Sequence, residues 1–132
     1  MAPSLAFVFP GQGSQRVGML DGFRQDGTLE RLLPVAEELS GLALGSIAAE
    51  GPDQALADTR AAQPLLYLTD LLWASRLDAA GIVPSMVAGH SLGELAALAY
   101  AGVFSVETGL ELVVARSRIM AEVAGEAPDA RR

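Results

Sequence analysis

A chain of 132 residues holds at most one domain, and 51% apolar with 19% charged residues is the composition of a packed globular piece rather than a disordered one. A formal charge of -7 and a pI near 4.5 argue against nucleic acid as a partner, since backbone phosphates demand a basic surface. There is no cysteine and one histidine, which removes disulfides and thiolate chemistry and argues against an all-protein zinc site.

In chain order, Leu5 to Phe9 is apolar and aromatic and stops at Pro10-Gly11-Gln12-Gly13, which predicts a buried strand ending in a tight turn. The segment Gly13 to Gly18 has the glycine spacing of a phosphate-binding loop. It continues with Met19 where that loop needs lysine, and every cation of the chain is arginine. The dinucleotide fingerprint fails as well, because Arg16 stands where the third glycine is required. From about Val17 to Gly81 the pattern is mostly helical. Thr28 is the expected cap of a helix through Ser40 that Pro34 kinks or restarts, and Asp53 the cap of a short turn. Pro64 is the expected first residue of a long helix to Asp78. Its Leu65, Leu66, Leu68, Leu71, Leu72, Trp73 and Leu77 cover most of its circumference, so it is expected to be central and buried.

Gly81 to Pro84 turns into a second predicted strand, Ser85 to Ala88, followed by a helix of small apolar residues from Leu92 to Tyr100. After a break at Ala101-Gly102, Ser105 caps a last helix to about Ala124, and Gly125 to Arg132 reads as a polar tail. No run of about 18 apolar residues is free of charge and glycine, and Met1 to Pro10 lacks a basic start, so neither membrane span nor signal peptide is expected and the cytoplasm is the default. Two parallel strands are too few for a stable sheet, which marks the chain as part of a larger α/β unit.

Residues Met86 to Glu94, Met-Val-Ala-Gly-His-Ser-Leu-Gly-Glu, carry the strongest chemical signal. A serine in Gly-x-Ser-x-Gly between a strand and a helix is lifted onto a sharp turn, beside the N–H groups of the helix start, as a nucleophile forming an acyl ester requires. Ser91-Leu92-Gly93-Glu94 is also a Ser-x-x-Glu capping box, which starts ordinary helices without chemistry. Gly89 and Gly93 favour the elbow, because a cap needs neither.

On the last helix, 100° spacing places Leu112, Val113, Arg116, Ile119, Met120 and Val123 on one apolar stripe, opposite Glu107, Glu111, Val114, Arg118 and Glu122. Arg118 has acidic neighbours and reads as a surface group. Arg116 lies at the centre of the apolar stripe, where a guanidinium needs an anion. Either its head snorkels out to water or a carboxylate, or it binds a substrate carboxylate bidentately.

Phe7-Val8-Phe9-Pro10-Gly11-Gln12-Gly13-Ser14-Gln15, then Gln63-Pro64, then Gly89-His90-Ser91-Leu92-Gly93-Glu94 and then Arg116 resemble the malonyl-CoA:acyl carrier protein transacylases and the related acyltransferase domains of fatty acid and polyketide synthesis. The resemblance covers nearly the whole chain and implies the N-terminal part of the domain, residues 1–124. The implied fold is an incomplete α/β hydrolase-like core, with parallel strands covered by helices and the inserted ferredoxin-like subdomain absent. The resemblance implies that Ser91 takes a malonyl group from coenzyme A and passes it to the phosphopantetheine thiol of an acyl carrier protein. The backbone N–H groups of Gln12 and Leu92 would form the oxyanion hole, and Arg116, Gln63 and His90 the substrate-binding set, with Arg116 on the free malonyl carboxylate. No bound cofactor or metal is implied.

His90 is next to the nucleophile, and adjacent side chains at a strand end point in different directions, so it is badly placed as general base. A packed or hydrogen-bonded structural role is expected for it. In the family the base comes from the later half, so the isolated chain is expected to turn over little or not at all. A serine hydrolase or thioesterase and a non-catalytic interaction module are the two other readings.

Overall fold

The computed structural model describes residues 4–129, with side chains to Gly125. Strands β1 (Ala6–Phe9) and β2 (Met86–Gly89) pair in parallel, Ala6 opposite Met86 and Phe9 opposite Gly89. The crossover between them holds helices α1 (Gly27–Ser40), α2 (Leu44–Glu50), α3 (Asp53–Ala57) and α4 (Thr59–Ala79), and α5 (Leu92–Tyr100) and α6 (Val106–Asp129) follow β2. Among the described residues, no single helix is long and apolar enough to cross a membrane.

The helices begin where their capping chemistry places them, which differs from the expected starts. Asp26, not Thr28, caps α1: its carboxylate accepts the Thr28 N–H at 2.8 Å. Pro34 neither ends nor restarts α1, since burial of Leu29, Leu32 and Ala36 on either side of it outweighs one lost hydrogen bond. Asp53 is the first residue of α3, with Pro52 in the cap position. Helix α4 starts at Thr59 rather than Pro64, because Asp58 accepts the Arg60 N–H at 2.9 Å and the turn it founds runs through the proline.

As expected, α4 is the central element. It packs against α1, α2, α3, α5 and α6 and buries Leu65, Leu66, Tyr67, Leu68, Leu71 and Leu72, while Trp73 is half exposed. The Tyr67 hydroxyl donates to the Val106 carbonyl at 2.7 Å, and a Cβ on Gly109 would lie 2.2 Å from the tyrosine hydroxyl oxygen, so α4 and α6 meet at a glycine.

Ser105 caps α6 as expected, its Oγ accepting the Thr108 N–H at 3.0 Å. The helix continues to Asp129 instead of ending near Ala124, with good helix formers at Glu126 and Ala127; residues 130–132 of the expected tail lie outside the described residues. The inward stripe also differs from the expected one. Leu110, Val113, Val114 and Ser117 are buried, whereas Leu112, Ile119, Met120 and Val123 are exposed. The most apolar arc of a helix faces inward only when the core on that side is complete, and here that arc has no cover among the described residues.

The sheet shows the same incompleteness. Phe7 and Phe9 point to α5, their rings 5.6 and 5.9 Å from that of Tyr100. On the other face Val8 is 73% and Met86 60% exposed, so among the described residues helices cover the parallel pair on one face instead of two.

Candidate active site

Ser91 sits between β2 and α5 at φ +54°, the positive-φ residue other than glycine among those described. A side chain held in that region is strained, and the surroundings must impose it. Three glycines do so. A Cβ on Gly93 would stand 2.0 Å from the Phe9 carbonyl oxygen, and one on Gly89 2.2 Å from Gly93. A Cβ on Gly11 would stand 2.5 Å from the His90 carbonyl oxygen. The Pro10–Gly13 turn after β1 therefore presses directly on the elbow after β2, and the glycines in both motifs serve one close approach.

The exposed Ser91 hydroxyl is not spent on a helix cap. No side-chain cap bond forms at the start of α5; the Glu94 N–H donates to the Ser91 carbonyl at 3.0 Å and the Gly93 N–H to the His90 carbonyl at 2.9 Å. The capping-box reading is thereby set aside. Among the described residues, the backbone N–H groups of Gln12 and Leu92 donate to no protein acceptor.

Instead, Ser91 Oγ accepts from Arg116 Nη2 at 3.1 Å. Arg116 Nη1 donates to Gln63 Oε1 at 2.6 Å, and Gln63 Nε2 donates to Thr59 Oγ1 at 2.7 Å and contacts Met120 Sδ at 3.3 Å. Thr59 Oγ1 donates in turn to Gln12 Oε1 at 2.9 Å. One chain of hydrogen bonds thus joins the turn after β1, the first turn of α4, helix α6 and the elbow. Gln63 is fully buried at its centre, where its amide saturates donors and acceptors on both sides.

Thr59 and Met120 escape a reading of the sequence. With α4 expected to begin at Pro64, Thr59 falls in a loop; with the helix begun at Asp58, Thr59 and Gln63 stand four apart on one face. Met120 is found on the expected stripe, but its role as a sulfur contact for Gln63 requires the packing.

Arg116 is half-buried, and among the described residues no carboxylate pairs with it. Both bonds from its guanidinium go to neutral oxygens, which leaves a positive charge beside Ser91 without an anion. Arg118 is a surface group, yet its partner is the Leu39 carbonyl at 2.8 Å, not the neighbouring glutamates. His90 departs from the expected packed role: its side chain is exposed, while its backbone N–H donates to the Phe9 carbonyl at 3.1 Å. The reason is the alternation at the strand end, which turns His90 outward as the chain enters the elbow. Among the described residues, no three His, Asp or Glu side chains converge as a metal site requires.

The acyl transferase domain family model matches residues 6–132. The chain belongs to the acyl transferase domain family. It is 43% identical over 120 residues to the malonyl CoA-acyl carrier protein transacylase of Synechocystis, covering 91% of this chain and 41% of that protein. The crystal structure of the Synechocystis malonyl-CoA:ACP transacylase superposes with a TM-score of 0.81 at 42% identity, again covering 91% of this chain and 41% of that one. A solved complex of a type II polyketide synthase acyl carrier protein with its malonyl-transacylase matches with a TM-score of 0.78 at 36% identity, covering 91% of this chain and 40% of that one. The chain thus spans about two fifths of the length of these relatives. The α/β core expected from the sequence is the core of these acyl transferase structures.

Proposed function

We propose that this acyl transferase chain supplies the nucleophile, the oxyanion donors and the carboxylate clamp of a malonyl-CoA:acyl carrier protein transacylase. The observation that carries this reading is the unpaired Arg116 guanidinium 3.1 Å from an exposed, strained Ser91 hydroxyl, with Gln63 holding its other nitrogen. A cation beside a nucleophile suits an acyl group that ends in a second carboxylate, and it favours malonyl over acetyl.

Ser91 Oγ attacks the thioester carbonyl of malonyl-CoA, and the developing oxyanion lies between the N–H groups of Leu92 and Gln12. Collapse expels the coenzyme A thiol and leaves a malonyl ester on Ser91. The phosphopantetheine thiol of the acyl carrier protein then attacks that ester through the same oxyanion site, which makes the cycle ping-pong. Arg116 releases Ser91 Oγ to clasp the malonyl carboxylate, while Gln63, braced by Thr59 and Gln12, fixes the direction of the clamp. Coenzyme A and phosphopantetheine are the carriers of the acyl group, and no further cofactor is proposed. His90 is assigned no proton transfer; the base that takes the Ser91 proton is placed outside this chain, in the part of the domain that follows residues 1–124. The reaction is proposed to take place in the cytoplasm.

Incubation of the chain with malonyl-CoA, followed by intact mass and peptide mapping, tests this reading. The expected result is slow accumulation of one malonyl group on Ser91, none on Ser91→Ala, and a preference for malonyl-CoA over acetyl-CoA that disappears in Arg116→Ala. Equal labelling by the two thioesters in the parent chain sinks the carboxylate clamp. Rapid stoichiometric labelling sinks the assignment of the base to another segment.

A further inference from the structure

The hydrogen bonds that link Arg116 to the turn after β1 all run in one direction. Arginine only donates, so the Gln63 atom that meets Arg116 Nη1 at 2.6 Å is the carbonyl oxygen, and the amide nitrogen is left for Thr59. Gln63 Nε2 donates to Thr59 Oγ1 at 2.7 Å, which leaves the single proton of that hydroxyl for Gln12 Oε1 at 2.9 Å. A threonine inside a helix can give this proton to the carbonyl four residues back, as Thr69 does to Leu65 at 2.7 Å. Thr59 is the first residue of α4, where that carbonyl lies outside the helix, so its hydroxyl is free to reach across.

The Gln12 end of these bonds needs a tether. Gln12 is exposed and stands between Gly11 and Gly13, the latter at φ +118°, so its backbone is flanked by two residues of the greatest conformational freedom. The other side-chain bonds of the turn are local: the Gly13 N–H donates to Gln15 Oε1 at 2.7 Å, and Ser14 Oγ to the Gly11 carbonyl at 2.9 Å. The close approach of Gly11 to the His90 carbonyl sets how near the turn comes to the elbow, but a steric stop leaves rotation of the next peptide open. Among the described residues, the Thr59 hydroxyl is the group that ties the Gln12 side chain to a helix.

We propose that Thr59 is a positioning residue that couples the two halves of the site: its one hydroxyl holds Gln63, and through it Arg116, on one side and the oxyanion turn at Gln12 on the other. This coupling rests on the acyl-transfer reading of Ser91 and adds to it a residue that serves the carboxylate clamp and the oxyanion donor together. A guanidinium aimed at a carboxylate matters only for a diacid, whereas an N–H group that meets the oxyanion matters for every thioester. Loss of the Thr59 hydroxyl therefore slows acylation whether or not the acyl group carries a second carboxylate, which separates it from loss of Arg116.

Thr59→Val keeps the shape and removes both hydrogen bonds, Thr59→Ser keeps them, and Gln12→Leu cuts the second bond from its exposed end without touching α4. The rate of Ser91 labelling is measured for each with malonyl-CoA and with acetyl-CoA, at a temperature where thermal unfolding shows the variant folded. Thr59→Val and Gln12→Leu are expected to slow both thioesters about tenfold or more, Thr59→Ser to stay within about threefold of the parent, and Arg116→Ala to slow malonyl-CoA alone. In the Ser91→Ala background, where no acyl transfer enters, the heteronuclear NOE of the Gln12 backbone amide is expected to fall in Thr59→Val and to be kept in Thr59→Ser, with that of Leu92 unchanged. Slowing of malonyl-CoA alone by Thr59→Val or Gln12→Leu, or an unaltered Gln12 amide in Thr59→Val, overturns the proposal. A parent chain that takes up neither acyl group counts against the acyl-transfer reading instead, and the order of the Gln12 amide then decides the tether by itself.

Discussion

The helical side of the molecule and its sheet side are built to different standards. Where α4 meets α6, Leu65, Tyr67, Leu110 and Val113 are wholly buried, the tyrosine hydroxyl is paired, and a glycine lets the helices close. Where β1 meets β2, two four-residue strands present a bare apolar face, beside a groove in which the Asp70 carboxyl of α4 has an oxygen without a partner among the described residues. The candidate site lies on the seam. Arg116 and Gln63 come from the closed side and Ser91 from the end of the open one, so the polar chain between them joins the packed α4–α6 contact to the less covered strand that carries the serine.

The largest expected effect falls on that seam. Gly93→Ala drives a Cβ into the backbone of Phe9, a contact of 2.0 Å that no rotamer relieves. The variant is expected to lose more than the ~1–3 kcal/mol usual for overpacking and to show no cooperative urea transition, whereas Gly125→Ala, with open space around it, stays within about 1 kcal/mol of the parent. A cooperative Gly93→Ala transition close to the parent's shows that the two turns are not locked together.

Next in size is a pair of truncations that measures the contrast itself. Leu110→Ala removes a fully buried side chain from the α4–α6 contact and is expected to cost about 2–5 kcal/mol by chemical denaturation. Val8→Ala, at 73% exposure, is expected to cost at most about 0.5 kcal/mol in the isolated chain. Equal costs show that the sheet face is covered in solution and erase the distinction.

The same contrast explains what the sequence reveals. Both strands, the elbow, helix α5 and the burial of α4 are legible, because each rests on a local signal: an apolar run, a Gly-x-Ser-x-Gly turn, a stretch of leucines. Ser91, Gln63 and Arg116, singled out from the motifs, are joined by hydrogen bonds, and the Gln12 side chain joins them through Thr59. The start of α4 is missed because proline at a first helical turn is a strong cue and a single Asp58 cap a weak one, and Thr59 is lost with it. The inward stripe of α6 is misplaced for a deeper reason: the apolar moment of a helix reports every surface it can cover, and the described residues do not supply part of that surface. His90 is misjudged because the alternation at the strand end carries its side chain outward as the chain enters the elbow.

A smaller effect, and one with a distinctive pH signature, is expected at Asp70, whose carboxyl burial pushes up to about 8. Between the ordinary aspartate value near 3.9 and that one, the folded chain keeps a proton the unfolded chain has released, so this group lowers stability as pH rises through the interval. Asp70→Asn removes the titration. Its stability advantage over the parent is expected to grow by about 2–3 kcal/mol between about pH 6 and pH 8, measured by urea denaturation at each pH. An advantage independent of pH means that the carboxyl is solvated in the isolated chain, and the open side is then wetter and looser than the groove geometry indicates.

Asp58, on the same helix but at its closed end, titrates with the opposite sign. Hydrogen bonding from the Arg60 side chain, the largest cause, holds its carboxyl below the ordinary aspartate value, against a smaller opposing effect of burial. Its contribution is therefore complete above the unfolded pKa and is lost as pH falls through the folded one. Asp58→Ala removes the cap of α4 and is expected to cost about 1 kcal/mol at neutral pH, with parent and variant converging in acid once the carboxylate is protonated. Because the first turn of α4 also carries Thr59, the variant is expected to lose the Thr59–Gln12 contact and to label more slowly with malonyl-CoA. A loss of stability with unchanged labelling assigns Thr59 to the fold alone and leaves Gln63 as the group that aims Arg116.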